Sequence, residues 1–159
     1  MFFRQVRIGY KGIPFVIYKF RTFTKDGAKT TFLGSILRKT KLDELPQIIN
    51  LIKGDMVLVG PRPDVPGYAD KLEGNDMIIL DVKPGITGLA SLKYRNEEKI
   101  LANKVDALYY NDQVIWPDKV RINKWYVQNR NFLMDCKIIF FTLVPLPFDV
   151  DNYIDNYST

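Results

Sequence analysis

The longest apolar run in the chain, Ile138 to Phe148, is broken by Thr142, Pro145 and Pro147. A membrane span needs roughly 18 to 20 consecutive apolar residues, so this run reads instead as the end of a buried or interfacial helix stopped by proline. No other stretch comes closer to spanning length, and the first twenty residues lack the apolar core and small-residue cleavage site of a signal peptide. The constraint extends along the chain, because glycine and proline cut it into short segments. Short strands interleaved with helices predict a mixed α/β domain of the α+β kind. At 159 residues, 47% of them hydrophobic, the whole chain, 1–159, is expected to form one compact domain.

Phe15 to Phe20 is rich in β-branched and aromatic residues and follows Gly12 and Pro14, which predicts a strand entered from a turn, with Lys19 at its exit. From Leu42 to Lys53, Leu45, Ile48, Ile49 and Ile52 recur at intervals of three and four, marking one face of a helix that Gly54 ends. Thr40 or Asp43 is placed to cap it, and Pro46 is tolerable only near its first turn. Val57 to Val59 predicts a short strand broken by the Gly60-Pro61-Arg62-Pro63 turn. Further on come a helical stretch near Tyr68 to Glu73, a strand at Met77 to Asp81 and a Pro84-Gly85 turn. Residues 97–110 and 119–143 read as helices, the second interrupted around Asn129 to Asn131. No internal repeat is present.

The chain contains no histidine, which removes imidazole bases, Ser/His and Cys/His couples and histidine-bearing zinc sites. A single cysteine, Cys136, cannot close an intramolecular disulfide and is compatible with a reducing compartment. Chemistry must come from carboxylates, lysines, arginines, tyrosines or hydroxyls. The net charge of +5 hides a gradient: residues 1–41 hold ten Lys/Arg against one acid, Asp26. Such a block suits phosphorylated substrates, nucleic acid or an anionic membrane surface, and a merely solvated basic face equally fits charge alone.

Arg38, Asp43-Glu44 and Gln47, with Arg62 between prolines and Lys19 upstream, form the most informative constellation. Adjacent acids at a helix start can simply complement the macrodipole. They also make a chemically sensible nucleophile beside a metal-binding carboxylate, at a helix end that offers donors to phosphate oxygens. Pro61 and Pro63 fix the backbone around Arg62, whose planar fork matches a phosphate bidentately; an ion pair with Asp64 or Asp55 is the structural alternative. Lys19 and Arg21 serve equally well as charges that keep a strand edge unpaired.

Residues 2–23 (FFRQVRIGYKGIPFVIYKFRTF), 34–63 (GSILRKTKLDELPQIINLIKGDMVLVGPRP) and 83–90 (KPGITGLA) resemble, in order and spacing, the catalytic core of the bacterial sugar transferase family. These are the monotopic phosphoglycosyl transferases, which move a sugar phosphate from a nucleotide diphosphate sugar to a polyprenol phosphate. The resemblance implies that Asp43 is the nucleophile that expels UMP and that Glu44 holds Mg²⁺. Lys19, Arg38 and Arg62 fall on basic positions expected to grip the diphosphate. Gln47 and Arg21, with Pro61 and Pro63, are expected to support them. The loop containing Thr87 and Gly88 matches one near the nucleotide, although its glycines equally permit a turn.

The implied partners are a UDP-sugar, a polyprenol phosphate such as undecaprenyl phosphate, and the cytoplasmic face of the bacterial cell membrane, with no nucleic acid. Two departures accompany the resemblance. The family's apolar re-entrant helix lies upstream of the FRQ-like start and is expected to be missing here, and Lys93 to Asn123 is longer than the family pattern, marking a sugar-specific subgroup. The alternatives are an inactive, truncated family member that serves as a binding module, and a nucleic-acid-binding module built on the basic first quarter. The latter leaves the acidic dyad unexplained.

Overall fold

Two antiparallel strands open the chain, β1 (Phe2–Ile8) and β2 (Pro14–Phe20), in a register that runs from Phe2 opposite Phe20 to Ile8 opposite Pro14. Their turn, Tyr10–Gly12, needs left-handed backbone at Lys11 (φ 56°) and Gly12 (φ 74°). The structure, a computed structural model, describes residues 2–23 and 30–157 and, of Lys39, the backbone alone. Lys25, Asp26 and Lys29 of the basic block therefore lie outside the described residues. β2 matches the expected strand. β1 carried no sequence signal because its apolar residues do not alternate with polar ones and burial does not follow hydropathy: Phe2, Phe3 and Val6 are exposed while Gln5 and Arg7 are half-buried.

Helix α1 (Phe32–Lys39) starts at Thr31, whose hydroxyl accepts a hydrogen bond from the Gly34 amide at 2.9 Å. The predicted Leu42–Lys53 helix is two pieces: a 3-10 helix, Leu42–Gln47, running through Pro46, then α2 (Ile48–Lys53). Neither Thr40 nor Asp43 caps it. Thr40 donates back to the Ile36 carbonyl at 2.9 Å, and the chain enters through Lys41 in left-handed geometry. Gly54, at φ 76°, ends α2 as expected.

The apolar stripe of this segment faces outward: Leu45, Ile48, Ile49 and Ile52 are all exposed, Ile52 at 82%. The buried face is Pro46, Gln47 and Asn50. Asn50 explains the inversion. Only one edge of β2 is paired with β1, and the Asn50 side chain satisfies the other, donating to the Val16 carbonyl at 2.7 Å and accepting from the Tyr18 amide at 3.4 Å. One amide side chain thus stands in for a residue of a third strand and turns the hydrophobic residues of its own helix away from the core.

Strands β3 (Val57–Val59) and β4 (Gly85–Thr87) form a parallel pair, with Val57 opposite Gly85 and Val59 opposite Thr87. The backbones come so close that a Cβ on Gly85 or Gly88 would collide with the backbone of Gly60. The turn expected at Pro84-Gly85 is instead extended chain: Gly85 is the first residue of β4, and the Pro84 carbonyl accepts from the Val57 amide at 2.9 Å, because the segment is drawn into pairing with β3. Of the stretch near Tyr68 to Glu73 only a 3-10 turn, Ala69–Lys71, is helical. The strand expected at Met77–Asp81 is instead part of 3-10 turns spanning Gly74–Asp81, because its apolar run finds no partner strand and buries only Ile79.

Helices α3 (Leu89–Lys93), α4 (Glu97–Ala102) and α5 (Ala107–Tyr110) follow. The last two replace the single helix expected at 97–110, because Asp106 accepts from the Tyr109 amide at 2.9 Å and starts α5 anew. A π-helical turn, Asn111–Ile115, leads into α6 (Trp116–Asn129), α7 (Phe132–Leu143) and α8 (Val150–Tyr157). The break at residues 130–131 falls where the sequence placed it, and α7 ends before Pro145. The core joins Val59 of β3 to Leu89 and Leu92, Ile122 and Tyr126, Met134 and Ile138, and Val150 and Ile154. Lys93 secures this bundle by pairing with both Asp118 and Asp151 at 2.7 Å.

Asn50→Leu is expected to destabilise the fold by about 2–3 kcal/mol, since it strands a carbonyl and an amide on β2 while keeping much of the side-chain volume. Urea titration should show a lower midpoint with an unchanged slope.

Candidate active site

The acidic dyad sits in the first turn of the 3-10 helix, and Glu44 is its anchored member. Its Oε1 accepts from Lys19 Nζ of β2 at 3.0 Å and from Nη2 of Arg62. Arg62 is itself aimed by a second bond, from Nη1 to the Ile86 carbonyl at 3.1 Å. The proline-flanked loop around it is tied down on both sides. The Gly85 amide donates to the Pro61 carbonyl at 2.9 Å, the Ile8 amide to the Asp64 carbonyl at 2.9 Å, and Arg7 Nη1 to the Pro63 carbonyl at 3.2 Å. The rigid arginine thus pairs with Glu44, and neither Asp64 nor Asp55 forms an ion pair with it among the described residues.

Asp43 differs from its neighbour. It is half-buried and makes no ion pair among the described residues. Burial, reinforced by the adjacent Glu44 charge, raises its carboxyl above the usual range, with Lys19 opposing. Burial pushes Glu44 upward too, but Arg62 and Lys19 outweigh it and bring its carboxyl down to about 2. Two adjacent carboxyls are thus driven apart: one ionises readily as a structural anion, while the other carries a less compensated charge at the cleft wall.

The dyad opens onto a cleft of about 1060 Å³ whose lining includes Lys19, Arg21, Arg38, Asp43, Glu44, Arg62 and Pro63. Nine basic residues line it against five acids, an excess that suits a diphosphate. Arg38 reaches it from α1, stacked over the Phe23 ring at 5.0 Å and paired with Glu98. Arg7, Lys41, Asp64, Arg95 and Lys119 also line the cleft. No local pattern marks these as site residues, because only tertiary contacts bring them together. Burial lowers the pKa of both Lys19 and Lys41, against the pull of Glu44.

Gln47 and Pro61 lie outside the cleft lining, and so do Thr87 and Gly88, which the resemblance had implied to lie near the nucleotide. Gln47 is buried behind the dyad, its Nε2 without a hydrogen-bond partner among the described residues. Thr87 is buried and hydrogen-bonds Thr142 through their hydroxyls at 2.7 Å, and Gly88 packs on Gly60. Both glycine contacts and the Pro61 hydrogen bond hold the Arg62 loop from beneath. Among the described residues no cluster of three metal-ligating side chains gathers. Lys19 and Arg62 share one oxygen of Glu44 and leave Oε2 without a hydrogen bond among the described residues, which fits a hard cation that takes one or two carboxylates and is otherwise held by water and substrate phosphates.

A fixed guanidinium, a half-buried lysine and a carboxylate without an ion pair among the described residues thus face one basic cleft. Residues 1–147 match the family model described as bacterial sugar transferase, and the chain belongs to that family, a family of transferases. It is 37% identical over 153 residues to the sugar transferase EpsL of Bacillus subtilis, covering 90% of this chain and 68% of that protein. It is 31% identical over 170 residues to the exopolysaccharide production protein ExoY of Sinorhizobium fredii, again covering 90% and 68%. With the UDP-glucose:undecaprenyl-phosphate glucose-1-phosphate transferase of Klebsiella pneumoniae it shares 34% identity over 157 residues, 89% of this chain but 31% of that longer protein.

The split dyad has a signature in acid. Glu44 titrates in the fold below its ordinary 4.5, so its stabilisation is complete above that value and is lost as pH falls toward about 2. Asp43, shifted upward, acts in the opposite sense: its ionised form costs stability, and protonation relieves that cost. In urea titrations across pH, Glu44→Gln is expected to flatten the loss of stability between about pH 5 and 2, and Asp43→Asn to be more stable than the parent at about pH 7.

Proposed function

We propose that the chain transfers a sugar phosphate from a UDP-sugar to a polyprenol phosphate, with undecaprenyl phosphate the natural acceptor, through a covalent intermediate on Asp43. The observation that carries this reading is the asymmetry of the dyad: Glu44 is held by Lys19 and Arg62, while Asp43 stands without an ion pair among the described residues at the edge of the basic cleft. The names of the Klebsiella and Sinorhizobium relatives add support for an undecaprenyl-phosphate acceptor and for exopolysaccharide assembly.

In the first half-reaction an Asp43 carboxylate oxygen attacks the phosphorus that bears the sugar. The new oxygen–phosphorus bond forms as the bond to the bridging oxygen breaks, and UMP leaves with that electron pair. In the second, a phosphate oxygen of the polyprenol phosphate attacks the same phosphorus, Asp43 departs as carboxylate, and a polyprenol diphosphate sugar results. Neither half requires a proton from the protein, which accords with a chain that has no histidine. Lys19, Arg38 and Arg62 neutralise the phosphoryl oxygens, and Arg62 does so without reorganising because its position is already fixed by Glu44 and Ile86. Arg21 adds charge at the cleft wall, Pro63 stiffens the Arg62 loop from within that wall, and Gln47, Pro61, Thr87 and Gly88 support the dyad and loop from behind. When bound through Glu44 and substrate phosphates, Mg²⁺ supplies charge to the diphosphate.

On this reading the chemistry takes place where the acceptor's lipid tail is embedded, at the cytoplasmic face of the cell membrane, as a first membrane step of glycan assembly. The exposed apolar stripe of α2 supports that placement, as do the exposed Phe32, Leu33 and Ile36 of the neighbouring α1. No helix among the described residues is long and apolar enough to cross a membrane.

Incubating the folded chain with Mg²⁺ and a panel of UDP-sugars should release UMP once per chain and add one sugar phosphate to the intact mass. Asp43→Asn should abolish both signals. Arg62→Lys should lower the rate by about tenfold or more, roughly 1.4 kcal/mol, because an ammonium cannot make the two-pronged contact. A folded Asp43→Asn protein that still forms the adduct would remove Asp43 as the nucleophile.

A further inference from the structure

A second cavity, of about 390 Å³, opens beside the dyad cleft and shares Asp64, Glu97, Leu101 and Lys119 with it. Its far wall comes from α5, the π-helical turn and the start of α6, within the long segment between α3 and the bundle. Tyr68 is a fixed part of that wall: its ring meets Trp116 edge-on at 5.2 Å, and its hydroxyl donates to Asp112 at 2.8 Å and accepts from Asn111 Nδ2 at 3.1 Å.

The hydrogen-bonding inventory of this cavity is one-sided. Lys119 is committed to Glu97 at 2.7 Å. Asn111 spends its amide hydrogens on Tyr68 and Asp112, which leaves its carbonyl oxygen without a donor among the described residues. The Asp64 carboxylate has neither an ion pair nor a hydrogen bond among them, although it is only partly exposed. Open acceptors beside an aromatic wall call for a neutral ligand rich in hydroxyl donors, with an apolar ring face. They disfavour a phosphate, which brings only acceptors, and a lipid tail, which would leave them unpaired.

Position selects among the parts of a nucleotide sugar. Asp64 lies two residues from Arg62, so the cavity begins beside the guanidinium assigned to the phosphoryl group. The hexose is bonded directly to that phosphoryl group, whereas the uracil is a phosphate and a ribose farther away. We propose that this cavity receives the hexose ring of the donor, with Asp64 and Asn111 accepting hydrogen bonds from its hydroxyls and Trp116 bordering its apolar face, so that these residues set which sugar is used. The inference rests on the transferase reading given above.

Calorimetric titration of the full chain carrying Asp43→Asn, in which the covalent step cannot consume the donor, with UMP, UDP, UDP-glucose, UDP-galactose and UDP-N-acetylglucosamine, in the presence of Mg²⁺, tests it, and this chain serves as the parent. Two variants accompany the parent: Asn111→Ala, which removes an acceptor, and Ala107→Trp, which fills the cavity from an exposed helix position and so leaves the core intact. Circular dichroism and melting curves establish that both fold. The parent is expected to bind one UDP-sugar about tenfold or more tighter than UDP, and both variants to lose that margin while holding UDP within about threefold. Equal weakening of UDP and UDP-sugar would overturn the assignment in favour of the nucleoside, and a preference that survives both variants, or is absent in the parent, would also overturn it. A parent that binds none of the five probes would sink the transferase reading itself, a result distinct from either.

Discussion

One carboxylate holds the site together. Glu44 draws Lys19 from the hairpin and Arg62 from the proline-flanked loop onto a single oxygen, joining three segments that lie far apart in sequence. Remove that charge and two cations face each other across the cleft with nothing between them. The same arrangement leaves Asp43 as the less compensated of two adjacent acids, so structural and chemical duties are divided between neighbouring residues. Electrostatic cost is concentrated where reactivity is wanted.

The second organising contact is the amide of Asn50. By occupying the free edge of β2 it fixes where the 3-10 helix sits against the hairpin, and hence the distance between Lys19 and Glu44. It also decides which face of α2 is covered. A polar residue takes the interior while Leu45, Ile48, Ile49 and Ile52 are left outside, so burial here follows hydrogen bonding rather than hydropathy.

Much of this was legible in the sequence where local chemistry governs. Gly54 had to end α2, the helix break near Asn129 to Asn131 had to fall between two periodic stretches, and Phe15 to Phe20 had to be a strand. The dyad, Arg62 and Lys19 could be picked out by residue type and spacing. What stayed hidden depends on partners distant in the chain. β1 lacks an alternation of apolar and polar residues and is defined by its pairing with β2, and the apolar run at Met77–Asp81 looked like a strand but meets no other. The choice of Glu44 as the partner of Arg62, over the nearer Asp64, is likewise settled only when the loop docks on β4.

The contact among Gly60, Gly85 and Gly88 has a consequence for how variation in this chain would be read. A single methyl group at Gly85 or Gly88 would force apart the parallel strands that carry the Arg62 loop, although neither glycine lines the cleft. In a saturation scan scored by turnover, both positions would be as intolerant as the dyad, and even alanine would fail. Their intolerance would be steric in origin, arising from two backbones packed closer than any side chain allows.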